Sequence, residues 1–385
     1  MALIGVFGLN LSPKSGGVFY LINGLMETAH FSEHEYIYIC ERDKSVGFPK
    51  NVQLVSRPRI IRLLTQCLFR LPMNNHVFKN RLGAIAGLSA VSAISPSVYR
   101  HADAWLWPHC FAPVPHLKNM VAICHDMIHA YYPECFSSDA LSRRRKGEAS
   151  LRHCARVICP SQATKRDLLR RYPEYQFKTK TFSEAACEVI PIDECSAEVS
   201  ALKRSFGGFL LFIFIAVDWP HKNHELLIKA AKQLQSMTDR PFKVVFIGHR
   251  RSNMLQRMIQ EYNVQNLVVD VGNISRKLLV AYYHTATAFL FPSLCEGFGI
   301  PLVEAMHCSL PIIASDRSCI PEVCGNCGTL LPPDRPELWA RQMLRIMVDE
   351  RHRQEQVILS LKQSSQFSWE RTWNKIDRVF DEILG

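Results

Sequence analysis

Short apolar runs alternate with longer helical stretches along this 385-residue chain. Apolar strands that alternate with helices form parallel sheets with helices on both faces. The pattern predicts strands in the first half at residues 2–7, 36–40, 52–55, 104–107, 120–124, 157–160 and 189–191, and in the second half at residues 209–216, 243–247, 267–271, 288–292, 311–314 and 329–331. We therefore expect an α/β protein with two doubly wound, Rossmann-like domains that face each other across a cleft.

The length of the chain also favours two domains, because a single core rarely extends over so many residues. Residues 193–204 are polar and show no strand pattern, so we place the domain junction there. The expected first domain covers residues 1–195, the second covers residues 205–366, and residues 367–385 form a last helix.

Composition disfavours several classes of protein. No run reaches the roughly 18 apolar residues that a membrane-spanning helix needs, and the apolar start of the chain is typical of a first strand rather than a signal peptide. The 14 cysteines are scattered singly, which suits a reducing compartment, so we expect a cytoplasmic protein. Cys324 and Cys327 have the spacing of metal ligands but lack a second pair, which favours an ordinary loop over a zinc or redox site.

The chain carries a formal net charge of +11, and many of its basic residues lie between positions 143 and 180. Apolar residues are interleaved with them, which is typical of solvated helix faces and argues against a nucleic-acid partner. Residues 59–71, if helical, form a basic amphipathic helix. Such a helix either lies on an anionic membrane surface, here the inner face of the plasma membrane, or packs its apolar side in the core. Both interpretations stay open.

Residues 296–304, Glu-Gly-Phe-Gly-Ile-Pro-Leu-Val-Glu, place a carboxylate at each end of a glycine-containing stretch. The stretch follows a predicted strand, and Pro301 favours the first turn of a helix. The two glycines let the backbone approach a ligand closely. Strand, loop and helix in this order aim backbone N–H groups and the positive end of the helix at an anion such as phosphate. Glutamate near the start of a helix is also ordinary dipole chemistry, so spacing alone leaves both interpretations open.

Other candidate residues also follow predicted strands, at the edge where α/β sheets bind ligands. Lys222 precedes a helix that Asn223 is suited to cap, and is either a cation over the cleft or a solvated surface lysine. His125 follows the fifth predicted strand, and Gly16 and Gly17 form a loop after the first. A core histidine and a plain tight turn stay open beside a role in binding.

Residues 291–306, Phe-Pro-Ser-Leu-Cys-Glu-Gly-Phe-Gly-Ile-Pro-Leu-Val-Glu-Ala-Met, resemble the hallmark segment of the family-4 retaining glycosyltransferases, in which two glutamates are separated by seven residues. The resemblance continues in residues 123–126, 219–223, 310–316, 320–323 and 367–370. These segments occur in the order that the family requires, cover nearly the whole chain, and match most closely from about residue 209 onward.

The resemblance implies a B-type fold in which the first domain binds the acceptor, the second binds a nucleotide sugar, and the last helix returns to the first domain. It implies that Glu296 and His125 approach the donor sugar and that Lys222 binds the donor diphosphate, so these three are the catalytic candidates. Further donor-binding candidates are Glu304, on the ribose hydroxyls, with Gly297, Phe298, Gly299, Gly16 and Gly17. Residues 267–272 correspond to the strand and loop that contact the base.

One position departs from the usual pattern of the family. Many members carry an arginine where this chain has Val217, so a second phosphate-binding cation must come from elsewhere, with Arg250 and Arg317 as candidates.

The resemblance implies a retaining transfer in which the departing phosphate accepts the acceptor proton, so we expect no metal and no cofactor beyond the nucleotide-sugar substrate. The sequence Pro220-His-Lys-Asn223 suggests mannose from GDP-mannose, passed to a glycan or lipid-linked acceptor in cell-surface polysaccharide or lipopolysaccharide synthesis. UDP-sugars stay open as donors. The alternatives are a non-catalytic, basic membrane-binding protein and a nucleotide-sugar epimerase of the same fold.

Overall fold

A computed structural model of the chain describes residues 1–8, 17–40, 48–56, 101–108, 117–186 and 191–385. Two parallel sheets lie within these ranges, one in each half of the chain, and helices pack against them. The predicted fold class is therefore confirmed.

The first sheet contains seven described strands in the spatial order β3-β2-β1-β4-β5-β6-β7. These strands are β1 (Leu3–Gly8), β2 (Glu35–Cys40), β3 (Val52–Ser56), β4 (Ala104–Trp107), β5 (Met120–Ile123), β6 (Arg156–Cys159) and β7 (Thr179–Thr181). Strand β1 pairs with β2 on one side and with β4 on the other, so the order of the strands reverses at β1. The described helices of this half are α1 (Gly17–Glu27), α2 (Ile128–Tyr131), α3 (Ser138–Ser150) and α4 (Gln162–Arg171).

The second sheet has the order β10-β9-β8-β11-β12-β13. Its strands are β8 (Leu210–Ile215), β9 (Phe242–Ile247), β10 (Val268–Gly272), β11 (Ala288–Phe291), β12 (Ile312–Ser315) and β13 (Gly328–Leu331). The helices that accompany them are α5 (Ser196–Ser205), α6 (His224–Gln235), α7 (Met254–Glu261), α8 (Arg276–Thr285), α9 (Ile300–His307), α10 (Ile320–Cys324), α11 (Pro336–Val348) and α12 (Glu350–Ser364). Strands β8 and β11 are almost wholly apolar and buried, as a sheet covered on both faces requires.

The last helix, α13 (Trp369–Leu384), packs on the first sheet although it follows the second sheet in sequence. Its buried Trp373 and Phe380 join a cluster with Ile4 and Leu21 on one face of that sheet. The opposite face has its own cluster around Trp105, and the second sheet has a separate, larger core. The two halves thus have separate cores, and the end of the chain completes the first.

The structure differs from the sequence-based prediction in two elements. Strand β7 was not predicted, because Thr-Lys-Thr lacks an apolar alternation and lies at the edge of its sheet. Helix α5 occupies the segment assigned to a polar junction, and its Val199 and Leu202 pack in the second core. The predicted strand at 189–191 and the amphipathic helix at 59–71 fall wholly or largely outside the described residues. Among the described helices, none combines the length and apolar character needed to cross a bilayer.

Candidate functional site

The centre of the site is the carboxyl edge of β8 and β11, which are neighbours in the second sheet. From β8 the sheet extends through β9 and β10 to one side and through β11, β12 and β13 to the other. Loops that leave such a reversal point diverge and open a crevice for ligands. Lys222 follows β8 and Glu296 follows β11, so the topology brings two predicted site residues to this crevice.

Lys222 and Glu296 contact each other directly. The Nζ atom of Lys222 lies 2.5 Å from Oε1 of Glu296, and the side chains are only 19% and 9% exposed. A carboxylate or an ammonium group that is this buried and unpaired costs free energy, so the two groups stabilise each other as an ion pair. A diphosphate that entered the crevice would compete with Glu296 for the ammonium group.

Asn223 fixes the loop that carries Lys222, but it does not cap α6 with its side chain as predicted. Its backbone is left-handed, with φ of 58°, and its side chain makes no capping bond to α6. Instead, Nδ2 donates to the carbonyl oxygens of Pro292, at 3.3 Å, and Pro333, at 2.8 Å. The side chain therefore ties the loop after β8 to the loop after β11, which carries Glu296.

The glycine-containing loop connects Glu296 to α9. Gly299 has φ of 98°, a conformation that side chains disfavour, and it precedes α9 directly. Gly297 lies against the first domain, where a β-carbon would overlap the carbonyl oxygen of His125. Phe298 is buried in the second core and packs edge-on against Phe367, with ring centroids 5.7 Å apart. Phe298 therefore contributes to the core with its side chain, whereas Gly297 and Gly299 are required for their backbone geometry.

Glu304 lies on α9 and is almost fully buried. Nη1 of Arg276 lies 2.6 Å from its Oε1, and the hydroxyl of Tyr283 donates to its Oε2 at 2.8 Å. Burial, and then the charge of Glu304, raise the pKa of Tyr283 well above its ordinary value, so this hydroxyl remains a donor. Both partners come from α8, which follows the strand β10 that was predicted to contact the base.

His125 faces the same region from the first domain. Its Nε2 lies 2.6 Å from the carbonyl oxygen of Pro108, and its Nδ1 lies 3.9 Å from Oε1 of Glu184. An Nε2–H that donates to Pro108 leaves Nδ1 facing the Glu184 carboxylate. The neighbouring Asp126 caps the following turn, because it accepts from the N–H of Ile128 at 3.0 Å, and it pairs with Arg144.

The pKa of Asp126 is lowered, which keeps this carboxylate charged. Burial acts in the opposite direction, but the Arg144 guanidinium and the N–H of Ile128 outweigh it. In His221, burial and then the neighbouring Lys222 lower the pKa to about 4. The imidazole of His221 is therefore neutral near pH 7 and adds no positive charge beside Lys222.

Arg250 and Arg317 are the candidates for the second phosphate-binding cation, because this chain has Val217 where many members of the resembled family have an arginine. Arg250 makes a forked contact with Oδ1 of Asp270, at 2.9 Å and 2.5 Å, and donates to the carbonyl of Ala216 at 3.2 Å. It therefore joins the end of β8 to that of β10. Arg317 is more exposed and pairs with Asp316 at 3.2 Å. Both lie on loops at the carboxyl edge of the second sheet.

An aromatic column joins the two domains beside the site. Arg251 of the second domain covers the ring of Trp219, with its guanidinium carbon 3.4 Å from the ring centroid. Trp219 stacks on Phe136 of the first domain at 5.7 Å, and the guanidinium carbon of Arg144 lies 4.7 Å from the centroid of the Phe136 ring. Because Trp219 belongs to the loop that carries Lys222, this column connects that loop to the first domain.

The remaining candidates are two glycines in the first half of the chain and two cysteines in the second. Gly17 begins α1 in the first domain, whereas Gly16 lies outside the described ranges. Cys324 and Cys327 are buried free thiols in the second core. Across the part of the chain that the structure describes, no group of three His, Cys, Asp or Glu side chains could hold a metal ion.

Sequence reasoning did not find several residues that contact the predicted site, among them Glu184, Arg276 and Tyr283. Thr164, a partner of Gly297, and Ser318, a partner of Glu296, were missed as well. Arg276 offered a weak signal, because it begins a helix directly after the predicted base-contacting loop. The others carry no local motif, and only the assembled fold brings them to the site.

The chain superimposes on the sucrose-phosphate synthase of Thermosynechococcus elongatus with a TM-score of 0.72 over 99% of both chains, at 16% identity. The fold is therefore the B-type glycosyltransferase fold, two facing Rossmann-like domains with a crevice between them.

Sequence similarity adds to the comparison of folds. Residues 200–358 match the family described as Glycosyl transferases group 1, and this match together with the relatives below supports a glycosyltransferase. It is 26% identical over 267 residues to O-antigen chain mannosyltransferase B of Escherichia coli, a match covering 67% of this chain and 69% of that protein. It is 27% identical over 272 residues to the serotype-specific mannosyltransferase WbdA of the same organism; this match covers 69% of this chain but only 33% of WbdA.

Proposed function

We propose that this glycosyltransferase moves a mannosyl residue from GDP-mannose, with retention of anomeric configuration, to a glycan or lipid-linked acceptor in the synthesis of a surface polysaccharide. The observation that carries the proposal is the 2.5 Å contact between Lys222 and Glu296 at the reversal point of the second sheet. The similarity to two mannosyltransferases supports the choice of sugar.

The chemistry of the site supports a transfer from a nucleoside diphosphate sugar. Negative charge grows on the diphosphate as the bond to the sugar breaks, and a cation in a partly buried site stabilises it strongly. Lys222 supplies that cation, and the positive end of α9 adds to it. Once the diphosphate holds Lys222, the Glu296 carboxylate is released from the ion pair and faces the sugar.

A retaining reaction needs no protein base in this scheme. The departing diphosphate accepts the proton of the acceptor hydroxyl, which attacks the anomeric carbon on the face that the diphosphate leaves. Glu304, held by Arg276 and Tyr283, is the proposed partner of the ribose hydroxyls. His125, held between Pro108 and Glu184, is the proposed contact to the donor sugar from the first domain.

The donor is tested by incubating the protein with GDP-mannose, UDP-glucose or UDP-galactose and a lipid-linked glycan acceptor, and by measuring product mass and nucleotide release. GDP-mannose is expected to be the substrate, and GDP is expected to raise the melting temperature more than UDP. Stabilisation by UDP alone, with turnover of a UDP-sugar, would refute the choice of donor.

The same assay tests the proposed mechanism. NMR of the product is expected to show the anomeric configuration of the donor, and an inverted product would contradict retention. Turnover in excess EDTA is expected to equal turnover without it, because the proposed mechanism uses Lys222 and no metal. A loss of activity that magnesium restores would show a metal requirement. If the protein converts the nucleotide sugar into an isomeric nucleotide sugar in the absence of an acceptor, it is an epimerase.

We also propose that the protein associates peripherally with an anionic membrane surface. The support is the net charge of +11 and the exposed basic residues of α3 and α4, which include Arg143, Arg145, Lys146 and Arg166. Charged surfaces of opposite sign attract each other, and salt weakens the attraction. Sedimentation with vesicles is expected to require anionic lipid and to fall between 50 and 300 mM salt (about a 2.4-fold change in Debye length). Equal binding to neutral vesicles would contradict the proposal.

A further inference from the structure

The N-terminus of α4, in the first domain, contacts the second domain at two points, the carbonyl of Gly297 and the carboxylate of Glu322. We call this contact the clasp and define it by Ser161, Thr164, Gly297 and Glu322. Of these residues, only Gly297 is among the donor-binding residues that the resemblance implies, and the proposed reaction assigns no step to Ser161, Thr164 or Glu322. The clasp therefore raises the question of what it does for Glu296.

The first half of the clasp is a pair of hydroxyl groups that converge on one carbonyl. The Oγ of Ser161 donates to the carbonyl oxygen of Gly297 at 2.7 Å, and Oγ1 of Thr164 donates to the same oxygen at 3.1 Å. Ser161 and Thr164 are buried, with exposed fractions of 0% and 2%. This carbonyl belongs to the peptide bond directly after Gly297, one residue beyond Glu296, so the two hydroxyls restrict the backbone that carries the carboxylate.

The second half is a carboxylate of the second domain that caps a helix of the first. Both oxygens of Glu322, on α10, lie 2.9 Å from the N–H of Gln162, and Oε2 also lies 3.3 Å from the N–H of Ala163. The N–H of Thr164 is satisfied by the hydroxyl of Ser161 at 3.1 Å. A negative group at a helix N-terminus is favourable because of the free N–H groups and the helix dipole.

The two halves are joined within the second domain. The hydroxyl of Ser318 donates to the carbonyl of Glu296 at 2.9 Å, and the thiol of Cys319 contacts the carbonyl of Phe298 at 3.2 Å. Glu322 follows on the helix that these residues lead into. The Glu296 loop and Glu322 thus form one unit, and both parts of that unit dock on α4.

From this arrangement we infer that Ser161, Thr164 and Glu322 are positioning residues, which orient Glu296 only while the two domains are in contact. This inference rests on the proposed transfer reaction. The donor contacts proposed for Lys222 and Glu304 lie wholly in the second domain and do not require the clasp. Loss of the clasp should therefore slow the transfer step more than it weakens donor binding.

The first test removes the hydroxyls. In Ser161→Gly with Thr164→Val, both donors to Gly297 are lost, while glycine keeps much of the capping preference at the start of α4. We expect kcat to fall at least tenfold, with the Kd for GDP changed less than threefold. Ser161→Thr with Thr164→Ser exchanges the hydroxyls and should restore most of the rate. Ser368→Gly, which alters the cap of α13 in the same domain, is the control and should keep wild-type kcat.

The second test removes the charge and needs no substrate. Glu322→Ala is expected to speed hydrogen exchange at the amides of Gln162 and Ala163 at least tenfold, and Glu322→Gln should lower kcat about threefold or more. Glu337→Gln, at an exposed carboxylate of the same domain, is the matched control. Because exchange is independent of turnover, it separates failure of the clasp from failure of the proposed reaction.

Three results would overturn the inference. They are an unchanged kcat in the double variant, a Kd for GDP that weakens in parallel with kcat, and unchanged exchange at the two amides in Glu322→Ala. A double variant that melts far below the wild type is replaced by Thr164→Val alone, for which the same split between kcat and Kd is required.

Discussion

At the scale of single residues, the site is a balance of partly buried charges. Lys222 and Glu296 satisfy each other, Arg276 satisfies Glu304, and Arg250 satisfies Asp270. Each pair contains at least one residue that was predicted from sequence, and the partners come together only in the folded chain. In the proposed reaction, a diphosphate that takes over Lys222 releases Glu296, so donor binding would be coupled to the state of that carboxylate.

The pair of Lys222 and Glu296 makes a prediction about turnover. Glu296→Ala is expected to lower kcat by roughly 10²–10⁴-fold, the range for removal of a group that acts on the reacting centre. Lys222→Ala should lower kcat/KM by a comparable factor, and the double variant should cost less than the product of the two, because the residues act together. Steady-state kinetics with GDP-mannose measure all three.

A matched control for this cycle lies on α6. Glu225 and Lys229 form an ion pair of 2.8 Å on an exposed face, and their alanine variants should keep wild-type kinetics. Wild-type turnover in Glu296→Ala would remove Glu296 from the mechanism.

Two buried histidines predict how stability depends on pH. Burial lowers the pKa of His221 to about 4 and that of His224 to about 3. The unfolded chain binds protons at these positions below about pH 6.5, and the folded chain does not. Stability is therefore expected to fall as the pH falls from 7 to 5.5, on the order of 1 kcal/mol for each histidine. Urea unfolding at the two pH values measures it.

The variant His221→Gln provides the control for the pH effect. It should reduce the loss of stability between pH 7 and 5.5, because one titrating group is removed. Stability that is constant or higher at pH 5.5 would contradict the prediction.

At the scale of elements, the site depends on how loops leave the strands. Strands β8 and β11 pair with each other, so the loops after them run side by side. Asn223 joins these loops through Pro292 and Pro333, and its left-handed backbone turns the chain into α6. The position of Lys222 therefore follows from a turn that only a few residue types adopt readily.

Asn223 makes the prediction at this scale. Asn223→Ala removes both hydrogen bonds and strains the left-handed backbone, and it should destabilise the second domain by about 2–4 kcal/mol. Asn223→Gly removes the same bonds without the strain and should cost less. Chemical unfolding gives both values. Equal losses in the two variants would show that the left-handed backbone contributes nothing.

At the scale of the whole molecule, the first domain is built from two separate parts of the chain. The chain passes from the first domain to the second and returns as α13, which completes the first core with Trp373 and Phe380. The clasp and the aromatic column both join the two domains. The site is therefore assembled from both domains, while each domain keeps its own core.

Because α13 packs in the first core, a substitution in this last helix is expected to weaken the first domain. Trp373→Ala should cost about 3–5 kcal/mol, as large aromatic deletions in cores do, and the loss should fall on the first domain. Hydrogen exchange is expected to rise in β1 and α1 and to stay unchanged in β8 and β11. Trp339→Ala, a buried tryptophan of the second core, is the matched control and should show the reverse pattern. Faster exchange in both domains for either variant would show that the two cores unfold together.

What the sequence alone determined is local in character. The alternating apolar runs determined most strands of both sheets, and the positions of Glu296 and Lys222 just after strands determined that both lie at carboxyl edges. The missed strand β7 and the unexpected helix α5 are short or polar, so their place depends on neighbours and not on their own pattern. The strand and helix predicted at 189–191 and 59–71 stay predictions.

Only the tertiary structure decided which of these edges meet. Lys222 and Glu296 are separated by 74 residues, and they touch because β11 inserts beside β8 rather than beside β10. The hold of Arg276 on Glu304, the turn at Asn223 and the clasp between Glu322 and α4 have the same origin. These contacts join residues far apart in the chain, and the free energy that selects them comes from packing of whole strands and helices, which no single segment carries.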